Sequence, residues 1–251
     1  MEGPLLLADW GTSNRRAWLV GADGVVLASF ADDRGLTAIA PGGWEAAYAG
    51  MVAGLGGARP RLALLAGMVG SNRGWSEAPY RPCPAGPAEL AAVLHWVVPD
   101  EVAIVPGVCT LEPDADVMRG EEVQAIGALA GGLVPADGLC CHPGTHSKWI
   151  RIEDGRIAGF RTVMTGELFA LLKAHSLLSD LIQDEAKPGA AFFAGVDRGA
   201  DRAGLTAVLF RIRARVLLGA ARREDATAYG SGLLIGAGLF QWGSEFGAVA
   251  L

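Results

Sequence analysis

The chain has 251 residues, of which 51% are hydrophobic and 19% are charged. This composition excludes an intrinsically disordered protein and supplies apolar side chains for one large domain or two small ones. The formal net charge of −6 excludes a nucleic-acid-binding surface, which needs clustered Lys and Arg. No basic signal-peptide region begins the chain and its apolar stretch at 232–242 is too short for a bilayer, so we expect a cytoplasmic protein without a membrane partner.

The chain begins with three short strands around a polar turn. Apolar runs at 5–7, 17–20 and 25–30 predict strands of one sheet. Asp9 follows the first strand and could hold Mg²⁺, which prefers oxygen ligands and keeps several waters. The next turn offers backbone N–H groups and hydroxyls for phosphate oxygens, although an Asp that only caps a turn is the alternative interpretation. The phosphate-binding candidates in this turn are Gly11, Thr12, Ser13 and Asn14.

A strand predicted at 61–66 runs into a Gly-rich loop, which is where α/β proteins place ligands. A helix predicted over Trp44–Leu55 precedes this strand. The loop is polar and aromatic, and Trp can stack against a sugar face. A surface loop with a buried Trp anchor explains the same residues equally well. The substrate-binding candidates in this loop are Ser71, Asn72 and Trp75.

The next predicted elements are a helix over Pro87–Trp96, a strand over Val102–Val105 and a helix over Arg119–Ala130. The last helix opens with the residues RGEE. Complementation of the helix dipole explains one glutamate in that first turn. Arg119 could bind a substrate carboxylate in bidentate fashion. Glu121 could orient and deprotonate a substrate hydroxyl, as a catalytic base does.

The opening pattern of strand, polar turn, strand and hairpin repeats after a linker at 131–138. Its turn, PGTHSK at 143–148, offers hydroxyls, a small backbone and a cation for phosphate. The phosphate-binding candidates here are Gly144, Thr145 and Ser147. A solvated hairpin lysine is the alternative for Lys148. Two histidines of this region lack a defined metal-ligand spacing. The four cysteines are expected to be reduced core residues.

Helices dominate the remaining sequence. Thr165–Leu178 predicts an amphipathic helix with Thr165 as its cap, and 188–242 predicts three more helices. Exposed apolar helices after residue 204 would suit a homodimer, although core packing explains them equally well.

The two hairpin units, one opening each half of the chain, predict two phosphate-binding hairpins that face each other across a cleft. That architecture suits ATP. The fold class is α/β, with one domain at 1–136 and a second domain at 137–251. The second half lacks the late strand–loop–helix elements of the first, so we expect the second domain to be incomplete.

Several longer runs carry a resemblance to a known family. In chain order they are DWGTSN at 9–14, AGMVGSN at 66–72, VMRGEE at 117–122, PGTHSKW at 143–149, TGEL at 165–168 and SGLLIGA at 231–237. The chain resembles the 2-dehydro-3-deoxygalactonokinases, sugar-acid kinases of the actin-like ATPase superfamily. The resemblance implies two actin-like, ribonuclease H-like domains around a nucleotide cleft that closes on its ligands and excludes water. The domain at 1–136 would carry the sugar-acid site, and the domain at 137–251 would be the nucleotide side.

The resemblance also implies a reaction and the roles of its residues. ATP would donate its γ-phosphoryl group to the 6-hydroxyl of 2-dehydro-3-deoxy-D-galactonate, with Mg²⁺ required, in bacterial galactonate catabolism. Asp9 would be the Mg²⁺-linked carboxylate of the first phosphate loop, and Gly144, Thr145 and Ser147 would belong to the second. Glu121 stands where related carbohydrate kinases carry a catalytic Asp, after Gly at the start of a helix.

The C-terminal segment departs from the family pattern. After Ala237 the family continues through a strand, a Gly/Ser-rich loop and helices that hold the adenosine, and residues 238–251 do not match that segment. A missing strand would leave a sheet edge open and the base poorly held. One alternative to an active kinase is therefore a truncated, catalytically impaired homologue that binds sugar acid without turnover. Another is a different actin-like ATPase, such as a phosphatase, against which the aromatic loop and Arg119 argue.

Overall fold

The chain folds into two compact units of mixed α/β structure, which confirms the predicted fold class. The computed structural model describes residues 3–57, 59–112, 114–201, 204–246 and 249–250, with the backbone alone for 240–246 and 249–250. The first unit comprises Met1–Asp137 with Arg151–Phe160, and the second comprises Gly138–Ile150 with Arg161–Leu251. The split after Asp137 lies one residue from the predicted boundary between 136 and 137. Arg151–Phe160, which is part of the second hairpin, belongs to the first unit. The assignment of one function to each domain stays a prediction.

The elements follow one another in this order. The strands are β1 Leu5–Trp10, β2 Arg15–Val20, β3 Val26–Asp32, β4 Leu62–Gly67, β5 Arg81–Pro82, β6 His95–Val98, β7 Val102–Ile104, β8 Val108–Thr110, β9 Asp116–Met118, β10 Gly138–His142, β11 Ser147–Glu153, β12 Arg156–Val163 and β13 Val249–Ala250. The helices are α1 Trp44–Gly54, α2 Pro87–Ala91, α3 Glu121–Ala130, α4 Thr165–His175, α5 Ala190–Gly199, α6 Leu205–Leu217 and α7 Ala226–Phe246.

The first unit is built on a six-stranded sheet with the order β3-β2-β1-β4-β7-β6. β1, β2 and β3 pair antiparallel, and β4 and β7 continue the sheet parallel to β1. Leu6, Ala8 and Trp10 of β1 are at most 5% exposed, and Asp9 points to the opposite face because side chains alternate along a strand. Asp9 is level with Ala66 of β4, at the carboxyl end of both strands.

A buried ion pair ties β2 to β3 and α1. Arg15 is 2% exposed, and its Nε and Nη2 each donate to one Asp32 oxygen at 2.8 Å. Its Nη1 donates to the Ala47 carbonyl at 2.7 Å, and its Cζ lies 4.9 Å from the centroid of the Trp10 ring. The hydrogen bonds from Arg15 hold the pKa of Asp32 below its ordinary value. The pair therefore fixes the strand that follows the turn at 11–14.

A second sheet has the order β12-β11-β10-β13. β13 pairs in parallel with β10, which sets Leu139 opposite Val249 and Cys140 opposite Ala250. The prediction that a missing strand leaves this edge open is therefore wrong. Two residues of the segment at 238–251 supply the pairing.

Within the described residues three helices follow α4, as predicted, and α5 and α7 touch through glycine. A Cβ on Gly195 of α5 would lie 2.3 Å from the Tyr229 carbonyl oxygen. A Cβ on Gly232 of α7 would lie 2.1 Å from the Phe192 carbonyl oxygen. These distances leave no room for a methyl group, so the backbones of α5 and α7 are in direct contact.

Several predicted elements differ from the structure: α3 begins at Glu121 and not at Arg119, and α4 ends at His175 and not at Leu178. The helix predicted over Pro87–Trp96 ends at Ala91, because His95–Val98 pairs with β7 instead. Thr165 is not the cap of α4, since Met164 holds the N-cap position and the Thr165 hydroxyl donates to the Val163 carbonyl at 3.3 Å. The cysteines are free thiols, of which Cys141 is buried and the other three are partly exposed. Within the described ranges, no helix has the length and apolar character needed to cross a membrane.

Candidate active site

The turn at 11–14 directs its carbonyl groups toward one neighbouring segment. The carbonyl oxygens at positions 11, 12 and 13 accept hydrogen bonds from backbone N–H groups of segment 35–37, at 2.9–3.1 Å. Gly35 permits this approach, since a Cβ there would lie 2.5 Å from the Thr12 carbonyl oxygen. In a trans peptide the N–H points opposite to the carbonyl, so the N–H groups of residues 12–14 point away from segment 35–37. Successive amides in a turn can form an anion-binding concavity.

The turn at 143–147 is built in the same way within the second unit. The carbonyl oxygens of Gly144 and Thr145 accept hydrogen bonds from the N–H groups of Gly166 and Glu167, at 3.3 and 3.0 Å. A Cβ on Gly166 would lie 2.8 Å from the Gly144 oxygen and 2.9 Å from the Thr145 Cα. The N–H groups that follow these carbonyls therefore point away from the start of α4. Each unit thus contains a turn with carbonyls held by a glycine-containing segment and amides turned outward.

The side chains of the two turns differ in access. Thr12, Ser13 and Asn14 are exposed, as are Gly144 and Thr145. These five predicted phosphate-binding residues are therefore open to a ligand.

Ser147 and Lys148 are buried, at 6% and 5% exposure. Ser147 Oγ accepts the N–H of Gly144 at 3.4 Å, which closes the turn. The Lys148 ammonium group donates to the Thr162 hydroxyl at 2.8 Å. The alternative of a solvated Lys148 is therefore wrong, and its charge is held inside the second unit.

Asp9 is half-buried where three backbone segments converge. Gly67, the last residue of β4, has a φ of +90°, and a Cβ there would lie 2.8 Å from the Trp10 carbonyl oxygen and 3.3 Å from Asp9 Oδ1. Gln124 of α3 donates its side-chain amide to Asp9 Oδ2 at 3.4 Å. The carboxylate is thus held at the strand ends by β4 and α3.

The surroundings of Asp9 fit a magnesium ion better than a metal bound only by side chains. Within the described residues, no group of three or more His, Cys, Asp or Glu side chains is arranged to hold a metal ion. Mg²⁺ is commonly bound by one or two carboxylates, with waters and substrate phosphates completing its shell. The single carboxylate of Asp9, beside the turn at 11–14, is compatible with that requirement.

Gly120 allows α3 to begin against the end of β4. Its φ is +105°, and a Cβ there would lie 3.2 Å from the Gly67 Cα. Its N–H donates to Glu122 Oε2 at 2.6 Å, so the Glu122 side chain folds back and satisfies the N–H of the N-cap residue. Glu121, the predicted base, is the first residue of the helix and is partly exposed.

Glu122 is fully buried and has an unusual acidity. Within the described residues, its Oε1 has no hydrogen-bond partner. Burial raises the pKa of Glu122 to about 8, and the charge of Glu121 adds to this effect. The backbone hydrogen bonds and the charge of Arg119 act in the opposite direction. Glu122 is therefore protonated at neutral pH.

The Arg119 guanidinium is packed inside the first unit. Its Nη2 donates to the Ala78 carbonyl at 2.7 Å, and its Cζ lies 4.3 Å from the centroid of the Tyr80 ring. Its Nε and Nη1 are buried and have no hydrogen-bond partner in the part of the chain that the structure describes. A Cβ on Gly70 would lie 2.9 Å from Nη1. These contacts tie Arg119 to the loop after β4.

A cavity of about 590 Å³ opens between that loop and segment 36–45. Asn72, Arg73 and Trp75 line it from the loop, and Glu45 lines it from the start of α1. Two of the three predicted loop residues, Asn72 and Trp75, therefore meet at one cavity.

The third predicted loop residue, Ser71, lies beneath the cavity wall. It is 9% exposed, and its Oγ accepts the N–H of Arg73 at 3.3 Å. Trp75 packs against Tyr48, with ring centroids 5.7 Å apart. The loop therefore combines an aromatic anchor with polar residues that line the cavity, and its role in binding a sugar stays a prediction.

Three residues that build these sites were not predicted. They are Gly35, Gln124 and Gly166. Gln124 follows Glu121 by three positions on α3, so helical spacing could have indicated it. Gly35 and Gly166 act on turns more than twenty residues away in the chain, and no local pattern shows such contacts.

Comparisons with known proteins agree on one family. A family model described as 2-keto-3-deoxy-galactonokinase matches residues 9–251, which includes the segment left unmatched above. The 2-dehydro-3-deoxygalactonokinase of Escherichia coli (strain K12) is 40% identical over 238 residues, 94% of this chain and 80% of that protein. DgoK1 of Rhizobium meliloti (strain 1021), which carries the same enzyme name, is 40% identical over 236 residues. The match covers 91% of this chain and 76% of that protein. The crystal structure of a Sinorhizobium meliloti protein described as a 2-dehydro-3-deoxygalactonokinase matches with a TM-score of 0.87 and 36% identity, over 98% of this chain and 83% of that one.

Proposed function

Because this chain belongs to the 2-keto-3-deoxy-galactonokinase family, we propose that it transfers the γ-phosphoryl group of ATP to the 6-hydroxyl of 2-dehydro-3-deoxy-D-galactonate. The family match over residues 9–251 is the observation that carries the proposal. The two relatives named for this activity, each 40% identical, support the same sugar acid as substrate. Several groups of the described residues support the proposal.

The two turns supply hydrogen-bond donors for phosphate. The outward N–H groups of residues 12–14, and those that follow Gly144 and Thr145, are proposed to bind phosphate oxygens. The exposed hydroxyls of Thr12 and Ser13 add donors. Donors that are already fixed in position stabilise developing negative charge without reorganisation during the reaction.

Asp9 is the residue that would hold Mg²⁺, directly or through water. The bound ion supplies positive charge that neutralises the phosphate oxygens during transfer. Gln124 orients the Asp9 carboxylate through its amide. Gly67 allows the end of β4 to approach that carboxylate closely.

The proposed transfer makes one bond to phosphorus and breaks one. O6 of the sugar acid bonds to the γ-phosphorus, and the bond from that phosphorus to the bridging oxygen breaks, with its electron pair leaving in ADP. The O6 proton passes to the Glu121 carboxylate. Even a weak base suffices, because phosphoryl transfer depends mainly on positioning and charge neutralisation.

The sugar acid is proposed to bind in the cavity beside the loop after β4. Asn72 lines this cavity with a side-chain amide that can bond hydroxyls, and Trp75 lines it with a ring that can pack on the carbon chain. The volume of about 590 Å³ admits a six-carbon acid.

Phosphorus NMR of the product tests both the acceptor and the base. The parent chain, given Mg-ATP and the sugar acid, should form a phosphate monoester coupled to the C6 protons. Glu121→Gln should form it about 10²- to 10⁴-fold more slowly, because proton transfer to the base is lost. Binding of ATP, measured by calorimetry, should be nearly unchanged.

Glu101→Gln is the matched control, because Glu101 is exposed and pairs with Arg59 away from these residues. It should retain the parental rate. A parental rate in Glu121→Gln would rule out the role of the base. A product phosphorylated at another carbon would contradict the proposed acceptor.

A further inference from the structure

Arg73 brings an accessible positive charge to the cavity beside the loop after β4. It is exposed and lines the cavity together with Asn72 and Trp75. Its backbone is held, since its N–H donates to Ser71 Oγ at 3.3 Å and the next N–H, of Gly74, donates to the Ser71 carbonyl at 2.9 Å. Within the described residues, no ion pair occupies its guanidinium.

Arg119, the sequence candidate for the substrate carboxylate, is placed differently. Its guanidinium is used by the Ala78 carbonyl and the Tyr80 ring, and its two remaining nitrogens are buried. Arg119 does not line the cavity. A carboxylate could form a bidentate contact with Arg119 only after this packing opened, whereas Arg73 needs no such change.

The cavity also has a charge asymmetry. Glu45, in the first turn of α1, lines the same cavity as Arg73. A carboxylate ligand is attracted to a guanidinium, which matches its two oxygens with two N–H donors, and is repelled by another carboxylate. Hydroxyl groups, in contrast, can donate to Glu45. Arg73 and Glu45 can therefore determine the orientation of a hydroxylated acid in the cavity, with its carboxylate at Arg73 and its hydroxyl groups at Glu45.

We propose that Arg73 binds the carboxylate of the sugar acid and so selects an acid over a neutral sugar. This inference rests on the proposed function, and it adds the residue that recognises the acidic end of the substrate. Asn72 and Glu45 bind hydroxyl groups in the same cavity, and Trp75 packs on the carbon chain.

Steady-state kinetics of Arg73→Met and Arg73→Lys test the assignment. Arg73→Met should raise the KM for the sugar acid about 10- to 100-fold, because a charged hydrogen bond is lost, with the KM for ATP unchanged. Arg73→Lys should recover part of the affinity, since it keeps the charge but not the bidentate geometry. The carboxamide of the sugar acid should react poorly with the parent, and Arg73→Met should lose most of this preference for the acid.

Arg59→Met is the matched control, because it removes the same charge from an exposed site that pairs with Glu101. It should keep both KM values. A parental KM for the sugar acid and a parental acid preference in Arg73→Met would overturn the inference.

Calorimetry with the sugar acid separates this inference from the proposed function. If the parent bound the acid without phosphorylating it, and Arg73→Met bound it more weakly, the kinase proposal would fail and the role of Arg73 would stand. If the parent turned over the acid and Arg73→Met did so with parental constants, the kinase proposal would stand and the role of Arg73 would fail.

Discussion

At the scale of single residues, Glu122 shows how the turn before α3 is held. Its side chain is fully buried and accepts the N–H of Gly120, the residue that lets α3 start against the end of β4. A charged carboxylate at this position would be poorly solvated, so burial raises its pKa to about 8. The protonated side chain therefore holds the turn at Gly120 without adding a second negative charge beside Glu121 at neutral pH.

Glu122→Gln should change how stability depends on pH. In the unfolded chain Glu122 releases its proton near its ordinary pKa of 4.5, whereas the folded chain keeps it up to about 8. Between pH 4.5 and pH 8 the folded chain therefore keeps a proton on Glu122 that the unfolded chain has released. The stabilisation of the folded state by this proton is fully present below pH 4.5 and is lost as the pH rises toward 8. Between pH 5 and pH 8, the melting temperature of the parent should fall by roughly 5–10 °C more than that of Glu122→Gln.

Melting curves followed by circular dichroism at pH 5, 6, 7 and 8 provide the measurement. Glu112→Gln, on an exposed loop residue, serves as the control and should follow the parent at every pH. Equal pH dependence of the parent and Glu122→Gln would show that Glu122 titrates normally in the folded chain.

The sequence predicts residues whose chemistry is local and misses those whose role depends on distant chain segments. Asp9 and the turn at 11–14 are recognisable because the carboxylate, the strand end and the turn are adjacent in sequence. Arg15 gives no such signal, since its partner Asp32 lies seventeen residues away. The position of Arg119 in the sequence suggests a substrate contact, but only the fold reveals that Ala78 and Tyr80 engage it.

At the scale of elements, glycines determine how closely α5 and α7 pack. Gly195 and Gly199 lie one turn apart on α5, and Gly232 and Gly236 lie one turn apart on α7. A Cβ on any of the four would lie 2.0–2.3 Å from a carbonyl oxygen of the facing helix. The run at 231–237 that carries the family resemblance is therefore part of a helix contact that larger residues cannot form.

Gly232→Ala should destabilise the chain although alanine favours helix more than glycine does. The added methyl group would lie 2.1 Å from the Phe192 carbonyl oxygen, so the two helices must separate. Such overpacking costs about 1–3 kcal/mol, which exceeds the gain of about 1 kcal/mol from helix propensity. We expect a melting temperature lower by roughly 2–10 °C.

Gly127→Ala in α3 is the matched control, because a Cβ there meets no atom within 4 Å. It should keep or slightly raise the melting temperature through helix propensity alone. An equal stabilisation by both substitutions would show that α5 and α7 do not touch at Gly232.

Hairpins and long helices were predictable, and a short helix next to a strand was not. The hairpins at the start of each half follow from apolar runs separated by Gly- and Asp-containing turns. The residues at 87–96 form a short helix and then a strand, since pairing of β6 with β7 outweighs the helical pattern of the second half of that run. Such pairing is set by the sheet, which a window of sequence does not contain.

At the scale of the whole molecule, the repeat seen in the sequence is also a repeat of hydrogen bonding. Each unit contains a turn whose carbonyls accept N–H groups from a later segment, and each of those segments contains a glycine at the point of contact. The sequence predicts the turns themselves because they lie between apolar runs. The segments that hold them, at 35–37 and at 166–167, become apparent only in the fold.

The structure of the C-terminal residues likewise depends on contacts with a distant part of the chain. As a sequence, 238–251 matches no expected element, and it led to the prediction of an open sheet edge. In the structure Val249–Ala250 pairs with β10, and the family match extends to residue 251. A pairing of two residues is too short to produce a strand pattern, so sequence periodicity could not have shown it.

The central claim, that this chain phosphorylates a sugar acid, is tested most directly by ADP release. The 251-residue chain would be incubated with Mg-ATP and 2-dehydro-3-deoxygalactonate, beside reactions with the gluconate-derived epimer and with no sugar. We predict ADP release that requires a sugar acid, matches the sugar phosphate formed, and stops when the metal is chelated. Release without sugar, or no release by chain shown to be folded, would contradict the claim.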